Sequence, residues 1–323
     1  MTVKSRLLEY LEQHKGETLS GEGLAEQLGC TRAAVWKGIQ ALREEGYQIE
    51  AGPNRGYCLS PDTNRLSAEG VRLHLRYPDV EVQVMDETDS TNRVARSAAE
   101  QGAPHGSVYI ARRQNKGRGR RGRSFYSPEG GLYLSIVLRP MTNLEDSLLL
   151  TTSAATAVYR AVRDVCGREL EIKWVNDLYY QGRKVTGILT EAVTDFESGA
   201  IESVVVGIGL NLYLDPANLP AELQGIAGPI FDDREAYKRM DINRLAAQIT
   251  SELVEEAREP KLSPEYVEHN MIPGKRIRII DGERTRLADA LRICPDGRLR
   301  VRESDGTETN LLFGEVSIML EES

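Results

Sequence analysis

The sequence predicts an α+β protein that begins with a winged helix-turn-helix and continues into a central mixed β-sheet with helices on one face. Two observations lead to this fold class. Within residues 1–60, three helical periodicities are followed by two short extended runs. Further along, strand-like segments follow one another across turn-sized gaps, which is typical of an antiparallel or mixed sheet. The chain has 323 residues, enough for two or three domains.

Composition restricts the class of protein. The formal net charge of -8 argues against a protein that coats polyanions nonspecifically, although it leaves a local binding face open. The opening residues lack an apolar signal-peptide core, and no segment has about eighteen uninterrupted apolar residues, so we expect a cytoplasmic protein without a membrane partner. Cysteines and histidines form no ligand-spaced cluster, so we expect reduced thiols and no protein metal site.

The amino-terminal segment predicts a DNA-binding module. Helical periodicity runs from Val3 to about His14, a second helix starts after the N-cap residue Ser20, and Thr31 caps a third. Two extended runs then form a wing that carries Arg55. The third helix would lie in the major groove, with Arg55 near the phosphate backbone. The residues predicted to contact DNA are Thr31, Arg32, Lys37 and Arg55.

The charge of this segment keeps a second interpretation open. Residues 1–60 contain seven Lys or Arg and eight Asp or Glu, so electrostatics alone does not indicate DNA binding. A helical interaction domain with a charged, solvated face would have the same composition. The order of the elements favours DNA binding, and two modules in a dimer would supply the phosphate contacts that one module lacks.

A basic loop is the most unusual feature of the central region. Seven of the thirteen residues from Ala111 to Arg123 are Lys or Arg. Gly117, Gly119 and Gly122 formally satisfy the dinucleotide motif GxGxxG, but a strand follows where that motif requires a helix. We therefore reject a dinucleotide site. Glycines that let main-chain N–H groups approach an anion, together with arginines that grip its oxygens, indicate an anion-binding loop.

Polar residues also occur along the later strands. Lys173, Asn176, Asp177 and Lys184 are suited to phosphate, carbonyl or nucleotide binding, although each one alone is more often a turn residue or a solvated charge. Two glycines in VVVGIGLN, at positions 207 and 209, mark either the close approach of a flat ligand or a bulge.

Five motifs in order resemble the biotin protein ligases. They are DSTN (89–92), QNKGRGRRGR (114–123), KWVND (173–177), GRKVTGIL (182–189) and GIGLN (207–211). With the amino-terminal segment, the chain resembles the bifunctional bacterial ligases that also repress the biotin operon. The resemblance implies a carboxy-terminal SH3-like small β-barrel. We expect a winged helix at 1–62, a catalytic domain at 63–270 and the small barrel at 271–323.

The resemblance also implies an activity. Such enzymes form biotinyl-5′-adenylate from biotin and ATP with Mg²⁺, then transfer biotin to a lysine of the biotin carboxyl-carrier protein of acetyl-CoA carboxylase or a related carboxylase. The adenylate is also the corepressor that promotes a homodimer on operator DNA and represses genes of biotin synthesis and transport.

The matched positions imply roles for individual residues. Catalysis would rest on Lys184, Arg118 and Arg120. Biotin would be held by Ser90, Thr91, Asn92, Gln114, Arg118, Gly119, Arg120 and Lys184. The nucleotide would be held by Arg120, Arg121, Asn176, Asp177 and Asn211.

Several positions depart from the family pattern. Val175 replaces a common proline, Arg112 and Arg113 replace an acidic residue, Phe125 replaces a common tryptophan, and residues 223–243 differ from the usual run. Three other functions stay open: a ligand sensor that has lost catalysis, a ligase for a related carboxylate such as lipoate, and a purely structural DNA-binding protein. The matched lysine and arginine loop argue against the first.

Overall fold

The computed structural model describes residues 2–52, 56–77, 79–139, 146–194, 201–281, 284–312 and 317–320. Arg55 lies outside these residues. The chain divides into two compact units, one of Met1–Pro78 with Asp233–Ala247 and one of Asp79–Asp232 with Gln248–Ser323. The domain limits drawn from the sequence stay a prediction.

The described residues form the following elements. The helices are α1 (Val3–Gln13), α2 (Gly21–Gln27), α3 (Arg32–Glu44), α4 (Ala68–His74), α5 (Thr91–Glu100), α6 (Asp146–Cys166), α7 (Arg234–Arg239), α8 (Ile242–Glu256) and α9 (Pro264–Glu268). The strands are β1 (Ile49–Gly52), β2 (Gly56–Leu59), β3 (Val82–Thr88), β4 (Val108–Gln114), β5 (Gly131–Leu138), β6 (Glu171–Lys173), β7 (Asp177–Tyr180), β8 (Arg183–Thr194), β9 (Ile201–Asn211), β10 (Arg276–Asp281), β11 (Arg284–Ile293), β12 (Leu299–Glu303), β13 (Glu308–Leu311) and β14 (Ser317–Leu320).

The amino-terminal unit contains the predicted winged helix-turn-helix. Ser20 and Thr31 cap α2 and α3, each accepting a hydrogen bond from the backbone N–H three residues later. The strands β1 and β2 pair antiparallel and form the wing. One apolar core joins the three helices to the wing; it contains Leu7, Leu8, Leu11, Leu24, Val35, Ile39, Leu42, Tyr47, Ile49 and Leu59, among others. The helix boundaries and caps predicted from the sequence are confirmed.

The central sheet is mixed, as predicted. Its seven strands run in the order β3-β4-β5-β9-β8-β7-β6. Only the pair β3–β4 is parallel among the described pairs, and α5 is the connection that parallel neighbours require. The remaining pairs are antiparallel.

One helix departs from the predicted one-face arrangement. The long helix α6 packs on one face, where Thr151 Oγ1 lies 2.7 Å from Thr190 Oγ1. Arg160 joins α6 to α8 and α9 through ion pairs with Glu256 and Glu265. Side chains alternate along a strand, and α5 packs against the other set of positions, with Ala95, Ala99, Tyr109, Val137, Val193 and Val205 in one cluster. The short helix α5 therefore lies on the opposite face of the sheet.

The carboxy-terminal strands form a five-stranded antiparallel sheet in the order β13-β12-β11-β10-β14. This order is compatible with the predicted SH3-like barrel, although no closing pair occurs among the described residues. Trp174 Nε1 donates a hydrogen bond of 2.9 Å to the backbone oxygen of Gly297, in the turn before β12. The carboxy-terminal sheet is thus bonded to the segment that joins β6 and β7.

None of the helices in the described ranges is long and apolar enough to cross a membrane. The four cysteines of the sequence are all free.

A buried glutamate lies in the amino-terminal unit. The side chain of Glu12 on α1 is 6% exposed, and its nearest cation, Lys15 Nζ, is 3.9 Å away. Lys15 and His74 favour its charged form, whereas Asp241 and Glu69 oppose it. Burial is the largest effect and raises the pKa of Glu12 to about 7. The folded protein therefore retains a proton on Glu12 that the unfolded chain releases near pH 4.5.

The substitution Glu12→Gln is expected to stabilise the protein at pH 8. Because the folded-state pKa is raised, the contribution of Glu12 to stability falls as pH rises from about 4.5 to about 7, and stays low above that range. A neutral glutamine avoids this loss, which is on the order of 3 kcal/mol. Urea denaturation at pH 5 and pH 8 measures it. Glu26→Gln on the exposed side of α2 is the control, and an equal gain for Glu12→Gln at both pH values contradicts the prediction.

Candidate active site

A cavity of about 420 Å³ opens on the α5 side of the central sheet. Its walls come from the start of α5, the loop that follows β4, and the β7–β8 hairpin. Every predicted ligand residue of the central domain except Asn211 lines this cavity: Ser90, Thr91, Asn92, Gln114, Arg118, Gly119, Arg120, Arg121, Asn176, Asp177 and Lys184. The fold therefore brings together residues from all five motifs, since Gly207, Ile208 and Gly209 of the last motif also line the cavity.

The first residues of α5 form a buried polar wall. Thr91 donates its backbone N–H to Gln114 Oε1 at 2.8 Å, and Gln114 Nε2 donates to Ser127 Oγ at 2.9 Å. Ser135 Oγ on β5 lies 2.7 Å from Thr91 Oγ1 and 2.6 Å from Asn92 Oδ1. These bonds fix the rotamers of the polar groups, so the wall is ordered in advance for a polar ring. Ser90 caps α5 without a side-chain hydrogen bond to the helix.

The basic loop divides its charges between two surroundings. Arg112 pairs with Asp86 at 3.3 Å, and Arg113 pairs with Glu87, both on the neighbouring strand β3. These two departures from the family pattern therefore lie along β4, outside the cavity lining. The cations that line the cavity follow later in the loop, at Arg118, Arg120, Arg121 and Arg123.

A tight turn presents these later arginines. Arg118 and Ser124 form an antiparallel bridge, and Gly119 N–H donates to the Arg123 oxygen at 2.7 Å. Arg121 has φ 57° and Gly122 has φ 75°, so two successive residues adopt left-handed backbone. Such a conformation reverses the chain within a few residues and brings successive guanidinium groups to one side of the cavity.

Two arginines are held by side chains of the sheet. Arg118 Nη1 lies 3.2 Å from Glu191 Oε1, and Glu191 also accepts from Asn92 Nδ2 at 2.9 Å. Arg120 Nη1 donates to Asn176 Oδ1 at 2.9 Å, while Asn176 Nδ2 donates to the backbone oxygen of Ile188. Burial lowers the pKa of Arg120 below its ordinary value, which Asp177 partly offsets. Arg120 is therefore a partly desolvated cation with a fixed direction.

Two lysines face the same carboxylate. Lys184 Nζ lies 2.6 Å from Asp177 Oδ1 across the β7–β8 hairpin. Burial lowers the pKa of Lys173, with Asp177 opposing this effect and the charge of Lys184 adding to it. Among the described residues, six cations line the cavity with one carboxylate in the lining, Asp177, and a second carboxylate, Glu191, paired with Arg118; the cations are Arg118, Arg120, Arg121, Arg123, Lys173 and Lys184. This excess of positive charge defines an anion site.

Glycines form the floor of the cavity. A Cβ on Gly209 would lie 2.5 Å from the Phe125 ring, and one on Gly187, its partner across β8–β9, would lie 3.0 Å from the same ring. A Cβ on Gly207 would lie 1.8 Å from Asn92 Oδ1. The sequence left two explanations for the glycines of VVVGIGLN, the close approach of a flat ligand or a bulge. The structure supports a third: without side chains, these positions leave room for Phe125 and Asn92 to pack against the sheet.

Asn211 lies outside the cavity lining. It ends β9, is 5% exposed, and its backbone oxygen accepts a hydrogen bond from Ile230 at 3.0 Å. Its side-chain Oδ1 is buried and has no hydrogen-bond partner in the described part of the chain. Its predicted contact with the nucleotide stays a prediction.

Sequence reasoning missed part of the site. Ser135 and Glu191 hold the predicted residues, and Ile226 and Ile280 add apolar lining from distant segments. A serine within the apolar strand GLYLSIVL was a usable signal for the first. Ile226 falls within the divergent segment 223–243, and Lys184 N–H donates to its backbone oxygen at 2.8 Å.

Of the four residues predicted to contact DNA, three lie on α3 or at its N-cap, and Arg55 lies outside the described residues. Arg32 and Lys37 are exposed, and Thr31 is the exposed cap of the helix. The protein thus contains a domain with an anion-binding cavity and a winged helix of the DNA-binding type.

Comparison with known proteins agrees with both parts. Residues 84–211 match the Biotin/lipoate A/B protein ligase family, and residues 3–58 match an HTH domain. The Bifunctional ligase/repressor BirA of Bacillus subtilis (strain 168) is 38% identical over 236 residues, 70% of each chain. The same-named protein of Escherichia coli (strain K12) is 31% identical over 98% of this chain and 97% of its own.

A solved structure shares the fold of most of the chain. The biotin protein ligase from Aquifex aeolicus, in complex with biotin and ATP, has a TM-score of 0.59 at 26% identity and covers 75% of this chain and 99% of its own. The chain belongs to the biotin protein ligase family, in its bifunctional ligase/repressor branch.

The substitution Ser135→Ala is expected to lower the free energy of unfolding by about 1–3 kcal/mol, because buried Asn92 and Thr91 oxygens lose a hydrogen-bond partner. The matched control is Ser203→Ala on β9, since that serine is also fully buried but its Oγ has no partner among the described residues. Urea denaturation of both variants gives the comparison. Equal destabilisation by the two substitutions contradicts the role given to Ser135.

Proposed function

We propose that this protein joins biotin to ATP, forming biotinyl-5′-adenylate and pyrophosphate, and then transfers biotin to a lysine of a biotin carboxyl-carrier protein, releasing AMP. The observation that carries the proposal is the single cavity in which a preordered polar wall faces a cluster of cations. A ligand with a polar ring at one end and a carboxylate at the other suits this arrangement. The family membership supports biotin as that ligand.

The polar wall would hold the ureido ring of biotin. Ser90, Thr91, Asn92 and Gln114 supply donors and acceptors within a buried network, and Gly119 supplies backbone close to them. Phe125 over the glycine floor gives the apolar surface that the rest of biotin requires. Because the network is satisfied without a ligand, binding does not have to order it.

The cations would neutralise the reacting anions. Attack of the biotin carboxylate on the α-phosphate of ATP joins two negative groups, so positioning and charge neutralisation matter more than a nucleophilic side chain. Lys184, fixed by Asp177, would stand at the reacting carboxyl and phosphate oxygens. Arg118 and Arg120 would hold the adenylate, and Arg118 would exchange Glu191 for ligand oxygens.

The nucleotide would bind to the part of the cavity wall that does not hold the biotin ring. We assign it to Arg120, Arg121, Asn176 and Asp177, with Asn211 near the adenylate. Magnesium would arrive with ATP: no group of three or more His, Cys, Asp or Glu that could hold a metal occurs in the ranges the structure describes. Asp177 is the lining carboxylate, so the phosphates would supply most of the metal's oxygen ligands.

The winged helix supports a second proposed function, the repression of transcription. The adenylate would act as corepressor, promoting a homodimer that binds operator DNA of biotin synthesis and transport genes through α3 and the wing. Occupancy of the cavity and dimer affinity would then be coupled, and by linkage each would raise the other. The reaction would take place in the cytoplasm.

Two assays test the proposal as a whole. Incubation with biotin, MgATP and a carrier protein should label the carrier, and lipoate should not compete for pyrophosphate release. DNA binding should be strong only with biotin and ATP together. An unlabelled carrier would indicate a ligand sensor that has lost catalysis. Effective competition by lipoate would indicate that the substrate is lipoate or a related carboxylate.

The substitution Lys184→Ala is expected to slow adenylate formation by about 10²–10³-fold, since one positioned donor to a developing charge is lost. Single-turnover quenched flow with biotin and MgATP measures this step. Lys238→Ala removes a lysine from a comparable ion pair, 2.7 Å from Glu235 on the surface helix α7, and should react at the wild-type rate. A wild-type rate for Lys184→Ala would remove Lys184 from the mechanism.

The substitution Arg120→Gly is expected to release the adenylate prematurely and weaken ligand-driven DNA binding. The guanidinium grips the phosphate from one side of the cavity, and its loss shortens the lifetime of the complex by about tenfold or more. Asn176→Ala, which removes the side chain that directs Arg120, should have a smaller effect of the same sign. Filter retention of labelled adenylate measures both; unchanged retention in Arg120→Gly is incompatible with this role.

A further inference from the structure

The two tryptophans of the chain have opposite surroundings. Trp174 is 4% exposed and bonded to Gly297, whereas Trp36 on α3 is 54% exposed. An indole left in water forgoes a large hydrophobic gain, and tryptophan is enriched where proteins meet a partner. Trp36 was not among the residues predicted to contact DNA.

Packing of the opposite side of α3 fixes the position of Trp36. Val35, Ile39 and Leu42 are fully buried in the amino-terminal core. At Gly38, a Cβ would lie 2.7 Å from Leu7 Cδ2, so α1 packs closely against this side of α3. Because this side of α3 packs against the core, Trp36 lies on the solvent-exposed face of the helix.

The outer face around Trp36 is cationic. Arg32 lies one helical turn before it and Lys37 directly after it, and both are exposed. No acidic residue occurs between Thr31 and Arg43 in the sequence. An exposed apolar ring with exposed cations nearby on the same helix is complementary to a surface that offers apolar groups beside phosphates.

The major groove of DNA is such a surface. In a helix-turn-helix, the amino-terminal residues of the second helix approach the base edges, and Trp36 is the fifth of the thirteen residues of α3. Thymine is the base whose major-groove edge carries a methyl group, which accepts apolar contacts. We infer that Trp36 determines sequence specificity by packing its indole against thymine methyl groups of the operator, between phosphate contacts from Arg32 and Lys37.

This inference rests on the DNA-binding half of the proposed function and deepens it. A duplex selected from a random library by the wild-type protein with biotin and MgATP provides the probe. Replacing each thymine by deoxyuridine in turn removes one methyl group and leaves the base pairing unchanged. In the wild-type protein, each contacted thymine should cost about fourfold in affinity when replaced.

The variant Trp36→Ala completes the cycle. Its affinity for the selected duplex should fall by about tenfold, and the deoxyuridine penalty at the contacted positions should disappear, because the group that read the methyl is gone. Lys37→Ala should instead weaken binding to all duplexes and reduce the salt dependence, with the penalty retained. Val267→Ala, which trims another exposed apolar side chain on α9, should bind like wild type.

Each outcome decides the inference. Wild-type affinity of Trp36→Ala overturns it, as does a loss of affinity with the deoxyuridine penalty intact. Thermal unfolding of Trp36→Ala at the wild-type midpoint assigns a loss to contact with DNA, and Trp36→Phe, with a smaller ring, should retain part of the penalty. If the wild-type protein selects no duplex while it still labels the carrier, both this inference and the repressor half fail, and the ligase half stands.

Discussion

The site depends on holding like charges together before any anion arrives. Arg118, Arg120, Lys173 and Lys184 line one cavity in which Asp177 is the lining carboxylate among the described residues, so mutual repulsion would spread them if nothing opposed it. Polar side chains of the sheet oppose it: Asp177 holds Lys184, Glu191 holds Arg118, and Asn176 directs Arg120. A ligand carboxylate or phosphate then enters a field that is already oriented, and the protein does not have to reorganise when charge develops.

The glycines of the sheet are the second constraint, because a cavity against a flat sheet is deep only where the strands lack side chains. Gly187 and Gly209 face each other across β8 and β9 and leave space for Phe125. Gly207 leaves space for Asn92, which in turn bonds to Glu191 and so connects the polar wall to the counter-ion of Arg118. A side chain at any of these glycines would push apart the groups that must act together.

The two basic features of the chain lie in different surroundings, and the proposed function gives them different ligands. The later arginines of the basic loop line a small cavity. Burial there lowers the pKa of Arg120, and desolvated cations interact strongly with an anion. Arg32 and Lys37 are exposed on α3, where salt screens each charge; in the proposed function, a dimer would add the DNA contacts that one module lacks. Reciprocal coupling between adenylate and dimer would let the strong small-molecule site control the weak DNA site.

The sequence by itself determined the order of helices and strands, the caps Ser20 and Thr31, and most residues of the cavity, since motif spacing and turn chemistry are local. Only the tertiary structure decided how the basic run divides. Strand pairing places Arg112 and Arg113 in ion pairs with acidic residues of β3, while a left-handed turn places the later arginines in the cavity lining. It also decided that α5 lies opposite α6, that Glu191 and Ser135 support the site, and that Trp36 is exposed. These features depend on residues far apart in the chain, which periodicity does not report.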